Sequence, residues 1–106
     1  MKIWLFFVLL GMGYSVYILY SKKLDRFYIG QTKDLNERLL LHTEKQFEDS
    51  FTSRANDWKL FHSIPCNSRT QAIQIESHIK KMKSRKYIFD IKEFPEISEN
   101  LIIKYP

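Results

Sequence analysis

Apolar positions along the chain change period in a way that marks out its elements. Between 14 and 20 they alternate, with Tyr14, Val16, Ile18 and Tyr20 pointing one way and Ser15, Tyr17 and Leu19 the other; that is the two-residue period of a strand. A polar connection over 21–25 leads to a second strand over 26–30, so the pair reads as an antiparallel hairpin. In it Tyr28 shares a face with Arg26 and Gly30. Thr32 or Asp34 is placed to cap a helix whose stripe is Leu35, Leu39 and His42, and Asp34 with Glu37 has capping-box spacing. Residues 43–57 are polar and irregular, with Phe47 and Phe51 as anchors. A third strand is predicted over 58–64, ended by Pro65. Ser68 then opens a helix with Gln71 in the capping-box position and an apolar stripe of Ala72, Ile75, Ile79 and Met82. Ser84 is placed to cap a further helix containing Tyr87, Ile88 and Ile91. Helices interspersed with three strands predict a small α/β sandwich built on one sheet.

At 106 residues the chain has room for one core. The reading divides it into an apolar extension (1–12), a folded domain (13–92) and a C-terminal tail (93–106) in which Pro95 and Pro106 enclose an apolar run. Residues 3–20 carry no charge, just enough to suggest a membrane span or a signal sequence. Gly11, Gly13, Ser15 and three tyrosines make that span a mediocre one, and using it as lipid-facing helix would remove the first strand. The remainder, 3–10, is too short to cross a bilayer. The extension is therefore expected to be a greasy tail, a cleaved signal core or an over-extended start, with Met12 a natural beginning for the domain.

Seventeen Lys and Arg against twelve Asp and Glu give a net charge of +5, which favours a polyanionic partner. Lys80, Lys81, Lys83, Arg85 and Lys86 crowd into seven residues. They read either as a solvated helix end or as a phosphate-tracking patch that binds nucleic acid. Cys66 is the only cysteine, so no internal disulfide forms, and no Cys/His group has zinc-ligand spacing. A reducing cytoplasm is the simplest home for such a chain.

Candidate chemistry lies in Tyr17, Tyr28, Arg38, His42 and Glu76. Hydrolysis of a phosphodiester needs an activated water, neutralised charge at phosphorus and help for the departing oxygen. A divalent ion, Mg2+ or Mn2+, assists the last two, and a lone carboxylate such as Glu76 leaves it open to water and phosphate oxygens. Arg38 offers a rigid fork of donors to a phosphate, and His42, one turn on, projects beside it. Tyr17 needs a neighbouring charge or metal-bound hydroxide to act as a proton acceptor, because an ordinary phenol titrates near 10. His42 and Tyr28 are suited to hydrogen-bonding the attacking water or the phosphate. Each residue also has a bland role. Strand tyrosines pack at core edges, Arg38 can pair with Asp34, His42 can pack on the leucine stripe, and Glu76 can pair with Lys80. Taken together and in this order, they point to a single-metal phosphodiesterase.

The segments that carry this order are Tyr14-Ser15-Val16-Tyr17-Ile18-Leu19, Tyr28-Ile29-Gly30-Gln31-Thr32 with Leu35 and Arg38, Trp58-Lys59-Leu60, and Ala72 with Glu76 ahead of the basic run. Over 14–88 they resemble the GIY-YIG endonuclease superfamily, above all its small stand-alone bacterial members. The resemblance implies a three-stranded antiparallel sheet flanked by helices and a one-metal hydrolytic centre. By the same likeness Tyr17 is the proposed general base, Tyr28 supports it, Arg38 contacts phosphate, His42 hydrogen-bonds and Glu76 holds the metal. The sequence departs from the pattern at Ser15 and Val16, which replace the first glycine and isoleucine. It departs again at Gln31, where some repair members carry lysine, and near Ile88, where larger members carry asparagine. The expectation is a metal-dependent DNA endonuclease of the cytoplasm, serving repair or processing of branched or damaged DNA; RNA presents the same phosphodiester. Two alternatives stand beside it: a nucleic-acid-binding module that cleaves little, and a membrane-attached interaction protein using the apolar first residues.

Overall fold

The uncharged run near the amino terminus becomes intelligible once its second half is seen as the middle strand of the sheet. The computed structural model describes residues 12–43 and 54–106, and within these the side chains of 13–40 and 54–106. Strand β1 (Met12–Ser21) lies between β2 (Arg26–Asp34) and β3 (Lys59–Cys66), antiparallel to both. Tyr17 stands opposite Gly30 on one side and Ser63 on the other. A bulge shifts the β1–β3 register between Ile18 and Leu19, whose partners are His62 and Leu60.

Both faces of β1 are covered. On one, Val16 packs with Ile64, with Ala72, Ile75 and Ile79 of α2 (Arg69–Met82), with Ile91 of α3 (Arg85–Glu93) and with Leu101 of α4 (Pro95–Lys104). On the other, Tyr17 and Leu19 pack with Leu35 of α1 (Leu35–Thr43) and with Ala55 and Trp58. A strand buried on both faces reads as a nearly continuous apolar run, which is why it imitates half of a membrane span. Among the described residues no helix is long and apolar enough to cross a membrane. Residues 1–11 and the expected anchors Phe47 and Phe51 lie outside the described residues.

Several boundaries differ from the sequence expectation for local reasons. Strand β2 runs on to Asp34, so Thr32 is a buried strand residue, and Asp34 caps α1 by accepting the Glu37 N–H at 3.1 Å. Strand β3 continues through Pro65 because it is an edge strand, where a missing donor is tolerated. Met82 leaves the apolar stripe and is 46% exposed, since Lys83 turns left-handed (φ 47°) and ends α2 directly after it.

The helix starts follow their caps. Ser68 accepts the Gln71 N–H and Ser84 the Tyr87 N–H, each at 3.1 Å. The Gln71 side chain does not close a capping box. Fully buried, it accepts the Asn67 N–H at 2.6 Å and donates to the carbonyls of Tyr105 (2.9 Å) and Ile102 (3.4 Å). Those bonds fasten the stretch expected to be a tail, which is helix α4 with Leu101 in the core. At the opposite end, Asp57 accepts the Ser21 hydroxyl at 2.6 Å and the Lys23 N–H at 2.9 Å, pinning the hairpin turn to the segment before β3.

Candidate active site

Tyr17 projects from the central strand onto Gly30 of β2. A Cβ at Gly30 would lie 2.5 Å from the Tyr17 Oη, 2.6 Å from Cζ and 3.1 Å from Cε1. Glycine is thus required there by the approach of a ring, while the residue's own backbone is ordinary strand. Tyr28, two residues earlier, sets its ring 6.2 Å from that of Tyr17 at 34°, and the two phenols are hydrogen-bonded. The hairpin register therefore joins the two motif tyrosines and explains the glycine that follows the second.

Tyr17 is only 1% exposed, so its phenol stands apart from bulk water. That burial is the main reason its hydroxyl is pushed far above the ordinary phenol value; neighbouring Tyr28 pushes the same way, Arg38 opposes it, and the Glu76 carboxylate raises it further. Arg38 on α1 and Glu76 on α2 are both felt at one hydroxyl of β1, although 38 residues separate them in the chain. The fold thus brings Tyr17, Tyr28, Arg38 and Glu76 into one electrostatic neighbourhood. His42 lies on α1, and its side chain is outside the described residues.

Glu76 is 21% exposed and accepts a hydrogen bond from Lys80 at 2.9 Å, the pairing that their spacing allows. Among the described residues no three His, Cys, Asp or Glu side chains gather into a metal cage.

The basic run is more occupied than its sequence suggests. Lys80 is paired with Glu76, and Lys86 with Asp90 at 2.8 Å. Arg85 grips the Asp25 carboxylate at 2.9 Å and backbone carbonyl at 3.0 Å, with its guanidinium over the Phe27 ring. Lys81 and Lys83 are exposed at the end of α2. Such surface pairs are weak, so a phosphate can compete for these cations. A depression of about 310 Å³ at the carboxyl end of β2 is lined by Tyr14, Gln31, Thr32, Lys33, Arg38 and Arg69. Lys33 and Arg69 do not stand out in the sequence. The available signal was the seven-residue spacing of Arg69 and Glu76, which sets both on one face of α2.

Cys66 offers no competing chemistry, because burial pushes its thiol up to about 11 and its Sγ–H points to the Ile64 carbonyl. Residues 13–88 match the GIY-YIG catalytic domain, and the chain belongs to that family. No curated protein and no solved structure matches the chain. The family is one of nucleases that act on nucleic acid and generally use divalent metals.

Proposed function

We propose that this protein is a divalent-metal-dependent endonuclease that hydrolyses phosphodiester bonds in DNA, acting in repair or processing. The reading is supported by the match of residues 13–88 to the GIY-YIG catalytic domain and by the electrostatic influence of Arg38 and Glu76, from two different helices, on the Tyr17 hydroxyl. In this reading Arg38 binds a non-bridging oxygen of the scissile phosphate. Glu76 holds Mg2+ or Mn2+. When bound, the ion supplies charge neutralisation at phosphorus and at the departing oxygen.

Tyr17 serves as the general base at Oη, with Tyr28 fixing that hydroxyl's direction and His42 hydrogen-bonding the water or phosphate. Tyr17 first gives its phenolic proton to solvent; the phenolate then takes the proton of the attacking water as the new oxygen–phosphorus bond forms, and the departing oxygen leaves with the bonding pair and is protonated by solvent. Burial opposes the phenolate, so positive charge near Tyr17 is essential; Arg38 supplies part of it, and neutralising Glu76 removes a repulsion. Lys80, Lys81, Lys83, Arg85 and Lys86 are assigned to contacts along the substrate backbone.

A second reading is a nucleic-acid-binding module that cleaves little. It is favoured by the protonated state in which burial holds Tyr17 and by the Lys80 pairing of Glu76. One experiment separates the two: nicking of supercoiled plasmid, and cleavage of a branched-DNA panel, by wild type and Glu76→Ala with Mg2+ or Mn2+. Cleavage by wild type that is lost in Glu76→Ala supports the nuclease. An unchanged melting temperature of Glu76→Ala shows that the loss does not come from unfolding. Binding without cleavage by either protein supports the module.

A further inference from the structure

We propose that the depression at the carboxyl end of β2 is a second phosphate subsite, which holds the substrate strand beside the scissile phosphate. The proposal rests on the nucleic-acid reading above and specifies where the strand runs. Three of the six lining residues are cations (Lys33, Arg38 and Arg69) and none is a carboxylate. Lys33 and Arg69 are exposed and form no ion pair with a described residue, unlike Lys80, Arg85 and Lys86. Gln31, Thr32 and Tyr14 add neutral hydrogen-bonding groups to the same wall.

Two separate spacings place this subsite at one step from the reaction centre. Lys33 lies three residues beyond Gly30, the partner of Tyr17, or about 10 Å along a strand rising ~3.3 Å per residue, on the opposite strand face from Gly30, so that β2 lines the depression from both faces, with Gln31 and Lys33 on one and Thr32 on the other. Arg69 lies seven residues before Glu76, or about 10 Å along a helix rising ~1.5 Å per residue and on the same face. One strand of a duplex carries a phosphate every ~3.4 Å of helix axis. A backbone centred on Tyr17 and Glu76 therefore presents further phosphates over that distance. Arg38 belongs to both places, since its charge reaches the Tyr17 hydroxyl and its side chain lines the depression. The subsite would give the bound strand a direction: from the Tyr17–Glu76 centre towards the carboxyl end of β2 and the start of α2.

The test is the salt dependence of DNA binding, measured with the full chain carrying Glu76→Ala so that the probe stays intact. The probes are a labelled duplex and the corresponding single strand. Adding Lys33→Met and Arg69→Met should lower the slope of log K against log salt by about 2 for the duplex, and hence affinity by up to about a hundredfold at 0.1 M salt. The melting temperature should not change. Lys33→Arg with Arg69→Lys should restore the slope, and Gln31→Lys should steepen it by about 1. DNA binding with an unaltered slope in the double Met variant overturns the subsite and leaves the nuclease reading standing. Failure of wild type and Glu76→Ala to bind either probe at low salt overturns both.

Discussion

Replacing Gly30 by Ala isolates the contact on which the site is built. A new Cβ would sit 2.5–2.6 Å from Oη and Cζ of Tyr17, where ordinary contact begins at 3.4 Å. Something must therefore yield by close to 1 Å. The ring cannot easily do so, because Tyr17 is 1% exposed and packed among Leu19, Leu35, Ala55 and Trp58. Overpacking of this kind costs about 1–3 kcal/mol. Against it stands the intrinsic benefit of Ala over Gly in a strand, roughly 0.5–1 kcal/mol. The net expectation is a loss of up to about 2.5 kcal/mol, or a fall in melting temperature of up to roughly 20 °C for a domain of this size. The sign should reverse when the ring is absent: in a Tyr17→Ala background, Gly30→Ala should stabilise by about 0.5–1 kcal/mol. Urea denaturation of the four proteins of this cycle measures the coupling directly. Equal effects of Gly30→Ala in both backgrounds would refute the claim that the tyrosine ring dictates the glycine.

The other predictions concern protonation and the carboxyl-terminal helix. Burial and the neighbours Tyr28 and Glu76 raise the folded-state pKa of Tyr17 above its ordinary 10.0. The folded state thus binds this proton more tightly than the unfolded state. The associated stability is complete below about pH 10 and is lost as pH rises from there towards the folded value. Phenolate absorbance of wild type minus Tyr17→Phe should stay flat until alkaline unfolding begins, and a Tyr17 phenolate signal in folded protein below pH 10 would contradict the burial argument. Gln71→Met should cost roughly 0.5–1.5 kcal/mol, because it removes part-buried hydrogen bonds to the Asn67 N–H and the Tyr105 carbonyl. Hydrogen exchange should show protection lost first in α4; uniform loss across the sheet would mean that Gln71 does not act as a local fastening.

Much of the architecture was legible because it depends on neighbours in sequence. Alternation over 14–20 marked a strand, and Ser68 and Ser84 announced their helices by placing an oxygen beside an unpaired backbone donor. The hairpin order of Tyr17, Tyr28 and Gly30 carried the likeness to the family that the domain match over 13–88 shows. The sequence by itself also fixed which side chains are available for chemistry, since residue type sets what each can donate, accept or coordinate.

Other features arose only from residues meeting across the fold. Burial on both faces keeps β1 free of charge and largely apolar, so composition alone could not tell a central strand from part of a membrane span. The carboxyl-terminal stretch reads as a tail until Gln71, some 34 residues earlier, is seen bonding its backbone. The basic run looked like free charge, yet Asp25 and Asp90 hold two of its members. The protonation of Tyr17 was the least accessible property of all. It depends on the burial of one hydroxyl and on charges from three other elements, and distances through space govern such energies far more than spacing along the chain.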